Sequence, residues 1–172
     1  MRKLVFVLTI TLVSLSAKAQ DKIKWLSFED AIALNKETPK PILIDVYTDW
    51  CGYCKKMDME TYANKTIIKA INENFYAVKL DGEETEDIVY KEHTFKFQKS
   101  GRNGFHQLPA TLMNGKLSYP TTIFLTETEE LIQSIPGYLE KEMFEKILGY
   151  FSSDNYKTNK WENFEKGFKS SL

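Results

Sequence analysis

Pro41-Ile42-Leu43-Ile44-Asp45-Val46-Tyr47, then Thr48-Asp49, then Trp50-Cys51-Gly52-Tyr53-Cys54: an apolar run of strand length leads directly into two cysteines separated by two residues. The run is rich in β-branched residues and predicts a strand buried on both faces. Asp45 is out of place in it, because a buried carboxylate needs a partner. Cys51 and Cys54 are the only cysteines in the 172-residue chain. A bridge between them closes a very small ring, and disulfide stabilisation grows with loop length. The pair therefore reads as a dithiol that opens and closes rather than as a structural staple.

Outward from this stretch, the chain alternates between two periods. Ile23-Lys24-Trp25-Leu26 reads as a short strand, and Ser27 caps a helix with Asp30 placed as in a capping box. Lys55 to Glu60 continues as helix after the cysteines, Asn64 breaks or caps, and Ile67 to Asn72 is helical again. Phe75 to Asp81 is the next strand. Thr122 to Leu125 and Leu131 to Ile135 flank the polar turn Glu127-Thr128-Glu129-Glu130, as in an antiparallel hairpin. Leu139, Met143, Phe144, Ile147 and Leu148 have the period of an amphipathic helix ending near Phe151. The order predicts an α/β fold, a central mixed sheet with helices on both faces.

The N-terminus carries Arg2 and Lys3, an apolar run from Leu4 to Val13, and Ala17-Lys18-Ala19. This pattern predicts a signal peptide over residues 1–19, cut after Ala19, and a protein exported to a bacterial periplasm. An N-terminal anchor is the rival reading, but the run is short of the ~20 residues a spanning helix needs. The roughly 150 residues that remain suit one domain. A formal net charge of −1, with both signs scattered, points to neither nucleic acid nor an anionic membrane as partner. The abundant aromatics (11 Phe, 9 Tyr and 3 Trp) are enough for a substantial core.

At five separate positions the chain resembles the thioredoxin superfamily. Trp50-Cys51-Gly52-Tyr53-Cys54 follows a buried strand and opens a helix, Asp45 lies six residues before Cys51, and Lys79 stands on the next strand. Tyr119-Pro120-Thr121 precedes the hairpin, and Gly137 follows its last strand. The resemblance covers roughly residues 23 to 151 and implies a thioredoxin fold with a cis Tyr119-Pro120 bond. It places a thioredoxin-like domain at 20–151, interrupted by an insertion at about 82–118, and leaves 152–172 as a tail.

What the resemblance implies chemically agrees with the residues themselves. Cys51 at a helix N-terminus has its thiolate stabilised by the dipole and free N–H groups, which lowers a cysteine pKa from ~8.5 into the range ~3.5–7.5. Cys51 is then the nucleophile and Cys54 resolves the mixed disulfide. Asp45 is expected to accept the Cys54 proton and Lys79 to hold Asp45 ionised. A satisfied structural carboxylate and a snorkelling lysine are the plainer readings of those two. Trp50, Gly52, Tyr53, Tyr119 and Pro120 are expected to bind substrate, Pro120 through backbone pairing with an extended chain; Trp50 also suits simple packing. Tyr53 keeps an N–H that proline lacks, so the pair is expected to be more oxidising than a Gly-Pro pair.

The function that follows is an exported thiol-disulfide oxidoreductase acting on protein thiols and disulfides with an upstream electron-transfer partner. Reduction is preferred over oxidation or isomerisation, and a monomer with no cofactor beyond the Cys51–Cys54 disulfide is expected. A redox-sensing or partner-binding module without turnover is the alternative. His93 and His106, the only histidines, are too far apart in sequence for the usual zinc spacing, so no metal site is assigned. Within the insertion, Glu83 to Phe97 is expected to be a helix and Gly101 to Gly104 a turn. Phe105 to Met113 reads as a second short helix. Such an insertion either overhangs the site or only thickens the fold. In the tail, Trp161, Phe164 and Phe168 fall on one face of a short helix, which most simply docks on the domain.

Overall fold

The computed structural model describes residues 22–101 and 103–172. The expected signal peptide and its cleavage point lie outside them, as does Arg102 of the predicted turn. The elements begin with β1 (Trp25–Leu26), α1 (Phe28–Glu37), β2 (Ile42–Tyr47), α2 (Gly52–Glu60), α3 (Lys65–Asn74) and β3 (Tyr76–Asp81). After the insertion come β8 (Thr121–Leu125), β9 (Leu131–Pro136), α5 (Lys141–Ser152), α6 (Asn155–Thr158) and α7 (Trp161–Gly167). The insertion itself holds β4 (Ile88–Tyr90), β5 (His93–Phe95), β6 (Phe97–Ser100), β7 (Asn103–His106) and α4 (Gln107–Leu112).

Five strands form one mixed sheet in the order β1-β3-β2-β8-β9. β2 lies parallel to β3 and antiparallel to β8, so it is the central strand and is buried along nearly its whole length. Successive side chains of a strand point to opposite faces. Ile42, Ile44 and Val46 join Phe28, Ala31, Leu108 and Leu112 in one core. Leu43 joins Ile67, Ile71, Phe124, Phe144 and Phe151 in the other. Asp45 shares the Leu43 face, the face that α2 and α3 cover. No helix among the described residues is long and apolar enough to cross a membrane.

Local signals set the helix starts. The Ser27 hydroxyl accepts from the Asp30 N–H at 3.1 Å, and Asn64 Oδ1 accepts from Thr66 and Ile67 N–H at 2.9 and 3.3 Å. Both satisfy donors that a helix N-terminus would otherwise leave free.

The insertion corrects the expectation of a helical segment. Glu83 to Phe97 is not a helix; β4 and β5 form a hairpin, pairing Ile88 with Phe95 and Tyr90 with His93. Its two-residue loop, Lys91-Glu92, takes positive φ at both positions (48° and 63°), the twist that suits a tight hairpin. Strand formers decide the outcome: Val89, Tyr90, Thr94 and Phe95 fit a pleated surface, and Tyr90 packs edge-on against Phe28 of α1 at 5.0 Å. A second hairpin, β6–β7, pairs Phe97 with His106 and Ser100 with Asn103. It takes in Asn103 and Gly104 from the stretch read as a turn. The expected second helix is present but shorter, as α4, capped by His106 Nδ1, which accepts the Leu108 N–H.

In the tail, Trp161 and Phe164 pack on Tyr150 of α5 with ring centroids 5.3 and 5.1 Å away, and Phe168 follows Phe164 at 5.5 Å. Gly149 of α5 makes room for them: a Cβ there would come within 2.9 Å of the Phe168 ring.

Phe124, fully buried, stacks on Phe151 at 4.4 Å and meets Phe75 at 5.7 Å. Phe124→Ala is expected to cost about 3–5 kcal/mol of unfolding free energy in urea titrations, by transfer and cavity terms together. A loss under about 1 kcal/mol would mean that the core collapses into the space and does not depend on this ring.

Candidate active site

Cys51 is the N-cap of α2 and Cys54 its third residue, and the two form a disulfide with Cα atoms 5.3 Å apart. The turn is held by the Cys51 N–H donating to Thr48 O at 3.1 Å. The Cys54 N–H donates to Cys51 Sγ at 3.0 Å. That donor belongs to the free N–H groups of a helix start and points at the sulfur where negative charge would develop on reduction. Cys51 is 4 % exposed and Cys54 2 %, while Trp50 and Tyr53 beside them are 63 % and 65 % exposed. A Cβ on Gly52 would meet nothing within 4 Å, so the tight turn of the motif leaves open space on that side.

The cis Tyr119-Pro120 bond leads into β8, with Pro120 buried. Gly137, at φ 99°, donates its N–H to Pro120 O at 2.8 Å, which explains a glycine at that place. Tyr119 meets the Trp50 ring edge-on at 5.8 Å and lies against Gly82. The Trp50 indole N–H donates to Glu83 Oε1 at 3.1 Å. The cis-proline segment, the start of the insertion and the cysteine motif are thus tied together through Trp50. Tyr53 faces Tyr138, whose hydroxyl donates to Glu60 Oε2 at 2.8 Å. Burial raises the Asp81 carboxyl, and neighbouring Asp49, Glu84 and Glu83 add to the rise, so this rim of the site is acidic.

Asp45 and Lys79 are direct neighbours across β2 and β3. Lys79 Nζ lies 2.7 Å from Asp45 Oδ2 and 2.5 Å from Asp58 Oδ1. Asp58 is four residues after Cys54 on α2, hence on the same helix face, so Lys79 meets the helix one turn beyond Cys54. Three rings also surround the ammonium, those of Trp25, Tyr47 and Tyr62, at 5.1, 5.1 and 5.2 Å. Burial raises the Asp45 carboxyl above its ordinary 3.8; Lys79 opposes the rise and Asp58 adds to it. Burial works against the Lys79 ammonium, but Asp45 and Asp58 outweigh it and raise its pKa.

The structure thus brings all nine residues expected at the site to two neighbouring layers, the rim (Trp50, Gly52, Tyr53, Tyr119, Pro120) and the sulfur–carboxylate stack (Cys51, Cys54, Asp45, Lys79). The sequence reading missed Asp58, Tyr62, Gly82 and Glu83. Asp58 was readable from its spacing to Cys54; Tyr62, after a helix end, looked like any core aromatic. His93 and His106 stand apart, His93 packed on Phe95 at 4.5 Å and His106 buried as the α4 cap.

A carboxyl whose native pKa is raised holds its proton where the unfolded chain has released it. Stability from this group is therefore full below about pH 4 and falls as pH rises toward the native value. Asp45→Asn removes that fall and leaves Lys79 its bond to Asp58. Urea unfolding is expected to show the variant gaining on the parent as pH rises above about 4. A difference that stays constant as pH rises from about 4 into the neutral range would contradict the raised carboxyl.

A family model described as a thioredoxin-like domain matches residues 28–152. A Caenorhabditis elegans protein described only as uncharacterized is 28% identical over 128 residues, 64% of this chain and 18% of that protein. The thiol:disulfide interchange protein DsbD of Pseudoalteromonas atlantica is 25% identical over 67 residues, 38% of this chain and 11% of that protein. The chain thus spans less than a fifth of the length of these curated relatives. Among solved structures, a thioredoxin-fold protein from Helicobacter pylori superimposes with a TM-score of 0.58 at 18% identity, over 87% of this chain and 89% of that one. With a family model covering both cysteines, the cis-proline segment and the sheet between them, this chain belongs to the thioredoxin-like domain family.

Proposed function

We propose that this chain is an exported thiol-disulfide oxidoreductase that exchanges disulfides with protein substrates through Cys51 and Cys54, mainly as a reductase. The observation that carries the reading is the disulfide at the α2 N-terminus, with the Cys54 N–H on Cys51 Sγ and the Asp45–Lys79 pair joined to the same helix through Asp58. The name of the Pseudoalteromonas relative, a thiol:disulfide interchange protein, supports the same class of chemistry.

In the reducing direction, the Cys51 thiolate attacks one sulfur of a substrate disulfide and releases the other as a thiolate. Cys54 then gives its proton to Asp45, attacks Cys51 Sγ and breaks the mixed disulfide. Two electrons pass from the dithiol to the substrate, Cys51–Cys54 is left oxidised, and an upstream dithiol partner must return it to the reduced state. Trp50 and Tyr53 offer exposed aromatic contacts beside the sulfurs, with the half-buried Tyr119 against Trp50. The cis-proline loop offers backbone groups of Tyr119, the residue before Pro120, to an extended substrate segment. The basic start and short apolar run of residues 1–19 support export.

Insulin reduction by the dithiol-charged protein is expected to disappear in both Cys51→Ser and Cys54→Ser. Cys54→Ala is expected to accumulate mixed disulfides on Cys51, recoverable by non-reducing electrophoresis. Turnover that survives Cys54→Ser would overturn the two-cysteine cycle. Export has its own check: after expression of the full chain in a bacterium, the soluble periplasmic protein should begin at Gln20. Retention of Met1 in the cytoplasmic fraction would sink that part.

A further inference from the structure

Asp45 has two oxygens in different surroundings. Oδ2 is taken by Lys79 at 2.7 Å. Oδ1 is buried, and so are the Tyr62 hydroxyl and Thr122 Oγ1; none of the three completes a hydrogen bond. They belong together. Thr122 is the β8 residue directly opposite Asp45. Tyr62 enters from the end of α2, its N–H on Met57 O at 2.9 Å, and its ring meets the same Lys79 ammonium that holds Asp45.

The phenol is also fixed in place. Trp25 meets the Tyr62 ring edge-on at 5.0 Å and Phe144 at 5.6 Å, so the hydroxyl stays beside the carboxylate. Burial, with Asp45 adding to it, pushes the Tyr62 hydroxyl well above its ordinary value, so it remains a donor throughout the working range. A hydroxyl both donates and accepts. Tyr62 can therefore donate to Asp45 Oδ1 while Thr122 donates to Tyr62. A buried polar atom left unmatched is costly, which drives the three together.

The other groups facing this carboxylate are accounted for. Lys79 of β3 holds the opposite oxygen, Asp58 of α2 shares Lys79, and Tyr47 of β2 faces Lys79 through its ring. Cys54 lies on α2 one turn before Asp58. Each carboxylate oxygen has two lone pairs, so Oδ1 can accept from Tyr62 and still receive a proton.

We infer that Tyr62 is a positioning residue for Asp45: its hydroxyl, backed by Thr122, holds the carboxylate oxygen that Lys79 leaves free and sets how readily that carboxylate takes the proton of Cys54. The catalytic half of this assignment rests on the oxidoreductase reading; the contact between Tyr62 and Asp45 does not. A donor to a carboxylate favours the ionised form. Its removal therefore raises the pH at which Asp45 ionises, and with it the acid limb of the resolving step.

The test uses the full domain and Tyr62→Phe, which keeps the ring. Carbon-detected NMR of the Asp45 carboxyl in the oxidised protein is expected to show its midpoint raised by about one pH unit, the equivalent of one charge-assisted hydrogen bond. In the reduced protein, the acid limb of the disulfide-exchange rate is expected to rise by the same amount, with the alkaline plateau unchanged. An Asp45 midpoint that does not move overturns the assignment, whatever the activity. A raised midpoint in a protein whose parent shows no turnover overturns the oxidoreductase reading and leaves the Tyr62 contact standing. If Tyr62→Phe loses its amide dispersion, Thr122→Val reads the same network from its other end: a smaller rise supports it, and no rise overturns it.

Discussion

A carboxylate buried in the middle strand of the sheet governs how this site is built. Asp45 is 1 % exposed, and an isolated ion in such a place would be very costly. The parallel register of β2 and β3 meets that cost by setting Lys79 beside it. The lysine then has its own desolvation to offset, and Asp58 and the rings of Trp25, Tyr47 and Tyr62 surround it. Five side chains, from β1, β2, α2 and the segment just after it, thus converge on one ammonium, and the last turn of α2 cannot move without disturbing it. Because Cys54 sits on that same helix, the ion cluster and the disulfide are mechanically one unit.

Partial neutralisation also explains why burial rather than charge pairing dominates the Asp45 carboxyl. Lys79 divides its attraction between two carboxylates, one buried and one half-exposed. A lysine bound to Asp45 alone would hold it more firmly ionised. The shared lysine leaves the buried acid able to change its protonation state, the property a proton acceptor beside a thiol needs.

Much of this was legible from residue types and order. The apolar run of β2, the cysteine spacing, the out-of-place Asp45, Lys79 and the proline before the hairpin are local features, and the positions at which they occur carry the family pattern. The insertion was not legible, for a physical reason. Ile88, Val89, Phe95 and Phe97 are compatible with either period in so short a stretch, and Lys91-Glu92 turns the chain in a left-handed conformation without the glycine or asparagine that normally signals it. Tyr62 was hidden differently. Its role depends on β8 and β1 folding over it, a long-range arrangement to which nothing in its neighbouring residues points.

Gly82, where the insertion departs from the sheet, carries a practical consequence for anyone exchanging loops on this scaffold. A Cβ at this position would come within 2.4 Å of the Tyr119 ring, so any side chain there evicts the tyrosine that precedes the cis proline. The next residue, Glu83, grips the Trp50 indole, while the Gly82 carbonyl receives the His106 N–H at 2.8 Å from the far end of the second hairpin. The graft boundary is therefore narrow. Replacement between Glu83 and His106 leaves the rim of the site intact, whereas moving the splice one residue upstream displaces Tyr119 and with it the edge of the Trp50 ring.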